Sequence, residues 1–234
     1  IVFTIGDYEA YESSTDKTNE PQNPNSYYGK ILQVDLNSKK IDILSMGHRN
    51  PQGLFYDLEN NILFSTEHGP QGGDEINVNI NPSKNEVKNF GWPISSYGEH
   101  YGAEKGWSEK IKDDPSLLGE SSRYIRAPLY KSHINYGFVE PIKYFTPSIG
   151  ITEILKVKSR SKDPFKLIVS SLGYDKEEDD MTIHILNFDK DFTQKKHEKI
   201  YIGERIRDII DLDNGLILMT LESSGSIGML HDVY

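Results

Sequence analysis

Apolar residues along this chain come in short runs broken by polar turns, the pattern of β-strands, and no long segment carries the 3.6-residue period of a helix. The run from Ile1 to Ile5 predicts a strand that stops at the turn residues Gly6 and Asp7. Residues 30–35 and 41–44 predict the next pair, joined by the turn Asn37-Ser38-Lys39-Lys40. The runs Leu54-Phe55-Tyr56 and Ile62-Leu63-Phe64 flank the polar turn 57–61 and predict a hairpin. Further strands are expected at 151–157, 165–172, 181–188, 199–202, 206–212, 216–221 and 227–230. Residues 8–28 are polar and rich in Asn, Pro and Ser, and read as a loop. Residues 94–140 lose all periodicity and read as a long excursion, with a short helix near 107–111.

An internal repeat organises these elements. Asp57-Leu58-Glu59-Asn60-Asn61-Ile62-Leu63-Phe64-Ser65-Thr66 aligns without gaps on Asp211-Leu212-Asp213-Asn214-Gly215-Leu216-Ile217-Leu218-Met219-Thr220, and a further strand follows each copy. A looser third copy covers 151–157, 165–172 and 181–185. Repeated antiparallel units with no helices between them are the signature of an all-β chain folded as a β-propeller. The units found amount to three complete blades and part of a fourth, so residues 1–234 are expected to form one propeller domain.

Composition narrows the function classes. With 36% hydrophobic and 26% charged residues the chain is that of an ordinary globular protein, and no run reaches the length of a membrane-spanning helix. A net charge of -10 argues against a nucleic-acid binder, which needs a basic face. There is no cysteine, so thiolate metal sites and disulfides are excluded. Ile1 already belongs to a strand-like run, so the chain reads as starting inside a domain.

The candidate chemistry clusters at 47–53, 67–75 and 89–93. Antiparallel pairing of the 54–56 and 62–64 runs brings Arg49, Asn50 and Gln52 to the same end of the hairpin as His68, Gly69 and Pro70. By the repeat, the loop carrying Arg205 and Arg207 and the loop Thr146-Pro147-Ser148-Ile149-Gly150 open at that same end. Arginines brought together repel unless they share an anion, whereas each could instead pair with a carboxylate such as Glu204 or Asp208. Gly69 and Pro70 read alone as a plain turn, Trp92 as core packing, and His48 as a structural hydrogen-bonder.

The strings GHRNPQG, EHGPQGGDEIN, NFGWP, PSIG and RIRD, with TIGD before them, resemble in order and spacing those of the glucose/sorbosone dehydrogenase family. These are soluble aldose dehydrogenases dependent on pyrroloquinoline quinone (PQQ), with a six-bladed propeller. The resemblance implies that Arg49, Asn50 and Gln52 contact the quinone, that Arg205 and Arg207 clamp further carboxylates, and that His68 and Ser148 line the pocket. It implies that the Gly69 and Pro70 carbonyls ligate a Ca²⁺ bridging to PQQ, and that Glu75 and the Phe90 carbonyl ligate a second, structural Ca²⁺. The activity implied is hydride transfer from C1 of an aldose to the quinone, with a further electron acceptor, in a periplasmic or secreted protein.

Two departures accompany the resemblance. The family's general base is a His that precedes the TIGD strand and so lies upstream of Ile1; no residue here takes that role, and the chain alone is expected to be inactive. Gly173 stands where the family's glucose oxidisers carry a Lys. The family's first blades are expected to be absent, leaving edge strands at 1–5 and 227–230 that invite self-association. The competing reading is a non-catalytic propeller that binds a protein or carbohydrate through its loops.

Overall fold

The structure, a computed structural model, describes residues 1–8, 20–70, 72–98, 129–130, 133–158, 163–212 and 215–231. The short helix expected near 107–111, and most of the 94–140 excursion, lie outside the described residues.

The first meander is β1 (Val2–Ile5), β2 (Lys30–Val34) and β3 (Ile41–Met46), and the second is β4 (Pro51–Asp57), β5 (Ile62–Glu67) and β6 (Asp74–Ile80). The expectation that the first strand begins at Ile1 is corrected by one residue. Ile1 exchanges backbone hydrogen bonds with Val34, at 3.0 and 2.9 Å, but the paired register starts at Val2 opposite Gln33. Its side chain is exposed, so no packing draws it into the sheet. Among the described residues four short strands follow the meanders. β7 (Lys88–Asn89) runs parallel beside β3, β8 (Ser95–Ser96) pairs with β9 (Leu129–Tyr130), and β10 (Lys143–Phe145) closes the second sheet beside β6. The third sheet is β11 (Ile151–Val157), β12 (Phe165–Ser171), β13 (Thr182–Phe188) and β14 (Gln194–Tyr201). The fourth is β15 (Ile206–Asp211), β16 (Ile217–Leu221) and β17 (Ser226–Leu230). The leading strands of the sheets lie side by side, β1 beside β4, β4 beside β11 and β11 beside β15.

The repeat holds with one adjustment. Asp57 faces Ile62 across the first hairpin, but Asp211 faces Ile217, so the second turn is one residue longer than the ungapped alignment allows. β4, β11 and β15 also share a one-residue register shift near their starts, between Pro51 and Leu54, Ile151 and Ile154, and Ile206 and Asp208. An extra residue there bends the strand and re-aims the loop before it, which is the loop that carries the candidate chemistry.

The core explains why the third sheet reads as nearly continuous apolar sequence. Leu167, Val169, Leu186 and Phe188 pack with Phe64, Ile76 and Phe145 of the second sheet, while Ile168, Ile183 and Ile185 pack with Ile206, Ile209, Ile217 and Met219 of the fourth. Neighbouring residues of β12 thus bury opposite faces, as the two-residue period of a strand requires. Each such side chain contributes roughly 1.5–3 kcal/mol of burial.

Candidate functional site

The hairpin delivers what its pattern predicts. Pro51 faces Glu67, so the loop entering β4 and the loop leaving β5 lie together. The Arg49 N–H donates to Glu67 Oε1 at 2.6 Å, Arg49 Nη1 donates to the His68 carbonyl at 3.1 Å, and the His68 N–H donates to the Asn50 carbonyl at 3.1 Å. The Arg49 guanidinium lies 5.6 Å from the centroid of the Trp92 ring. Trp92 is buried and donates its indole N–H to Asp7 at 2.7 Å, while the Asp7 N–H donates to the Arg49 carbonyl at 2.8 Å. TIGD, GHRNPQG, EHGP and NFGWP are therefore one hydrogen-bonded unit. Gly47 is required at its centre, because at φ +75° a Cβ there would lie 2.2 Å from Asn89 Oδ1. Ile1 sits at the other end of β1 from Asp7, outside this unit, and brings no catalytic group to it.

Asp74 is the hub of the neighbouring loops. Its carboxylate accepts from the Gly69 N–H at 3.0 Å, Ser148 Oγ at 2.8 Å, the Ile149 N–H at 3.1 Å and the Ile151 N–H at 2.9 Å. It fixes Gly69 and Ser148 at the wall of the cavity that it also lines. His68 Nε2 sits 2.5 Å from the Ile151 carbonyl. A carbonyl only accepts, so Nε2 carries the proton and Nδ1 is left as the acceptor. Arg49, Asn50, His68, Gly69, Pro70 and Ser148 line a cavity of about 420 Å³, within the size range of small-molecule sites. Gln52 stands behind it, its amide donating to Asn50 Oδ1 at 2.9 Å.

A second, much smaller void of about 10 Å³ lies beside it, lined by Glu67, Glu75, Phe90, Gly69, Pro70 and His133 among others. Glu67 and Glu75 face each other across β5 and β6, and both are buried. Glu67 is held by His48 at 2.8 Å, and His48 in turn by Ser45 at 2.8 Å and the stacked Phe90 ring, so His48 is the structural residue expected. Glu75 has the Asn77 amide at 3.1 Å and His133 Nε2 at 4.0 Å. Burial first, then the charge of Glu67, pushes the Glu75 carboxyl well above its ordinary range. Opposed buried carboxylates in a void of atomic size form a donor set suited to a hard cation. Among the described residues no three His, Asp or Glu side chains form a metal cluster, so a cation here would draw on backbone carbonyls as well.

Arg205 and Arg207 stand one loop away. Arg205 donates to the Leu172 carbonyl and lies 4.2 Å from the centroid of the Tyr174 ring, and both arginines reach Glu222, at 3.4 Å from Arg205 Nε and 2.9 Å from Arg207 Nη2. The partner is Glu222 rather than Glu204 or Asp208. Leu172 itself donates to the Gly150 carbonyl at 2.8 Å, which links this corner to the Ser148 loop.

The model of the family described as Glucose / Sorbosone dehydrogenase matches residues 1–229. The chain belongs to the glucose/sorbosone dehydrogenase family. Over 191 residues it is 30% identical to "Aldose sugar dehydrogenase YliI" of Escherichia coli (strain K12), an alignment covering 80% of this chain and 43% of that one. It is 29% identical over 126 residues to "Quinoprotein glucose dehydrogenase B" of Acinetobacter calcoaceticus, covering 44% and 25%. The chain thus spans less than half the length of these curated relatives. Among solved structures it resembles a glucose dehydrogenase, with a TM-score of 0.67, 19% identity, and coverage of 100% of this chain and 61% of that one. It also resembles the soluble aldose sugar dehydrogenase of Escherichia coli in its apo-form, with a TM-score of 0.65, 22% identity, and coverage of 97% and 59%.

Sequence reasoning missed His133, which the structure buries beside Glu75 and Ser95 Oγ, the latter at 2.8 Å from Nδ1. No local pattern around it marks it, because its partners lie far away in the chain. Glu67 was findable: pairing the 62–67 strand antiparallel with the strand that follows it sets Glu67 against Glu75, and like charges directly opposed are unfavourable unless something is shared between them.

Proposed function

We propose that the chain forms the cofactor-binding part of a PQQ- and Ca²⁺-dependent aldose dehydrogenase, with its four sheets as blades of a propeller. The observation that carries this reading is the cavity in which Arg49, Asn50, His68 and Ser148 meet the Gly69-Pro70 turn. A planar tricarboxylate matches fork-shaped guanidinium and amide donors, and a turn of Gly and Pro offers carbonyl oxygens to a hard cation beside it. Bound there, PQQ with Ca²⁺ would supply the hydride acceptor for C1 of a sugar.

The chain's own residues would bind and orient. Arg49 takes a carboxylate while its backbone N–H stays on Glu67, which keeps the guanidinium aimed. Asn50, braced by Gln52, donates to a quinone oxygen, and Ser148 does so only by turning its hydroxyl from Asp74. Arg205 and Arg207, which lie outside that cavity, would reach the same ligand only by giving up Glu222. His68, with its proton on Nε2, presents an acceptor on Nδ1. Glu75, with Glu67 and the Phe90 carbonyl, would hold the second cation, which would remove the cost of two opposed buried carboxylates. None of these groups is assigned as the general base, whose place in this reading is upstream of Ile1.

A titration of the chain with PQQ, followed by quinone absorbance, tests the reading. Saturable binding that requires Ca²⁺ and is reversed by EDTA is expected. No binding with Ca²⁺ present, or binding indifferent to EDTA, would overturn it.

A further inference from the structure

A larger cavity, about 510 Å³, opens between the outer strands of the second and third sheets. It meets the candidate cofactor cavity at Pro147 and Glu178, which line both. One wall is β10 with Lys143 and Phe145, the other is β14 with His197 and Lys199, and the 3-10 turn Lys176–Glu178 lies over them.

The two walls of this cleft are basic, and the turn over them is acidic. Lys143 is half-buried, with its ammonium 5.3 Å from the centroid of the Phe145 ring, and it meets no carboxylate among the described residues. Burial first, and then the like charge of Lys199, lowers its pKa. His197 is lowered in the same way, by burial and then by Lys143 and Lys199. Lys199 itself is neutralised by Asp179. His197 Nε2 lies 3.0 Å from His184 Nδ1, and His184 Nε2 lies 3.3 Å from the Asp179 carbonyl. Since that carbonyl can only accept, His184 keeps its proton on Nε2, His197 donates from Nε2, and His197 Nδ1 is the nitrogen left for a ligand. Glu177 and Glu178, both exposed, line the cleft opposite these bases. Bases that depress one another's protonation are relieved by an anion among them, and exposed carboxylates accept from hydroxyls.

We propose that this cleft binds a small polyhydroxy carboxylate, a sugar acid, with its carboxylate anchored by Lys143 and its hydroxyls donating to His197 Nδ1, Glu177 and Glu178. The site adjoins the pocket assigned to the quinone and shares Pro147 and Glu178 with it, but Lys143 and His197 lie outside that pocket. Only the choice of a sugar acid among hydroxylated carboxylates rests on the sugar-oxidation reading; the basic anchor does not.

Calorimetric titration with gluconate, glucose and acetate tests it. Gluconate should bind at least about tenfold more tightly than either of the others, the difference expected for losing a charge-assisted bond or the hydroxyl contacts. Lys143→Gln should weaken gluconate by about tenfold, and Lys143→Arg should restore most of it. Arg49→Ala should leave gluconate affinity unchanged. Equal affinity for glucose or acetate, or indifference to Lys143→Gln, would overturn the proposal, and so would loss of gluconate binding in Arg49→Ala. Failure of PQQ to bind, with gluconate binding intact, would sink the oxidoreductase reading and leave this site standing.

Discussion

The loops entering β4 and β15 occupy equivalent places in the repeat, each with an arginine just before a leading strand, Arg49 and Arg205, and with Arg207 inside β15, yet they are built differently. Around Arg49 the polar groups are inside: Asp7, His48, Glu67 and Asp74 are all buried, and each makes two or more specified bonds to other loops. Around Arg205 and Arg207 they are outside, converging on Glu222, whose side chain is 41% exposed. Buried polar networks lock one geometry because any unmet partner is costly, while exposed ion pairs exchange partners at little cost. In the proposed reading the first corner would act as a preformed socket and the second as an adjustable clamp.

The contrast breaks most sharply at Asp74. Asp74→Ala strands the Gly69, Ile149 and Ile151 N–H groups and the Ser148 hydroxyl at once, and should destabilise the chain by roughly 4 kcal/mol. Glu222→Ala should cost less than about 1 kcal/mol. Urea unfolding of both variants measures this, and similar midpoints would erase the distinction.

How much of this was legible follows from the same contrast. The strands with one or both faces buried, β4, β5, β11, β12, β13 and β16, announce themselves by apolar pattern, because burial selects the residues. β14 does not: only 199–202 suggested a strand, but Gln194–Tyr201 pairs along its length while remaining mostly exposed, so nothing selects apolar side chains there. Ile1 shows the converse, an apolar residue that extends a run in the sequence but stays exposed beyond the paired register. β10 is three residues long and gave no signal. At the site, Arg49, His68 and Gly69 were legible because one hairpin register unites them. The hub role of Asp74 and the place of His133 depend on contacts between residues distant in the chain, which no local pattern encodes. The glycine at 173 has a physical reason too: a Cβ there would fall 1.8 Å from the Asp180 carboxyl carbon, so the buried Asp180 takes that space.

Buried against exposed polar groups also predicts the response to acid. The His184 pKa falls to about 4 because burial, and then His197, disfavour its charged form. The unfolded chain takes up that proton near the ordinary value of 6.5 while the folded chain refuses it, so stability is unaffected at pH 7, falls as pH drops from 6.5 towards 4, and levels off below. The loss should approach roughly 3 kcal/mol at pH 4. Denaturant midpoints at pH 7 and 4.5 for wild type and His184→Gln would show it, the variant losing less; parallel losses would show that the pair does not matter.

The central claim is that the Arg49 corner is a ready socket and the Glu222 corner a clamp that must be released. One PQQ titration, with Ca²⁺ present, compares wild type, Arg49→Ala and Glu222→Gln. Arg49→Ala should weaken binding by roughly 2 kcal/mol, about thirtyfold, whereas Glu222→Gln should tighten it by a few-fold as Arg205 and Arg207 lose their competing carboxylate. Unchanged affinity in Arg49→Ala, or weakened affinity in Glu222→Gln, would contradict it.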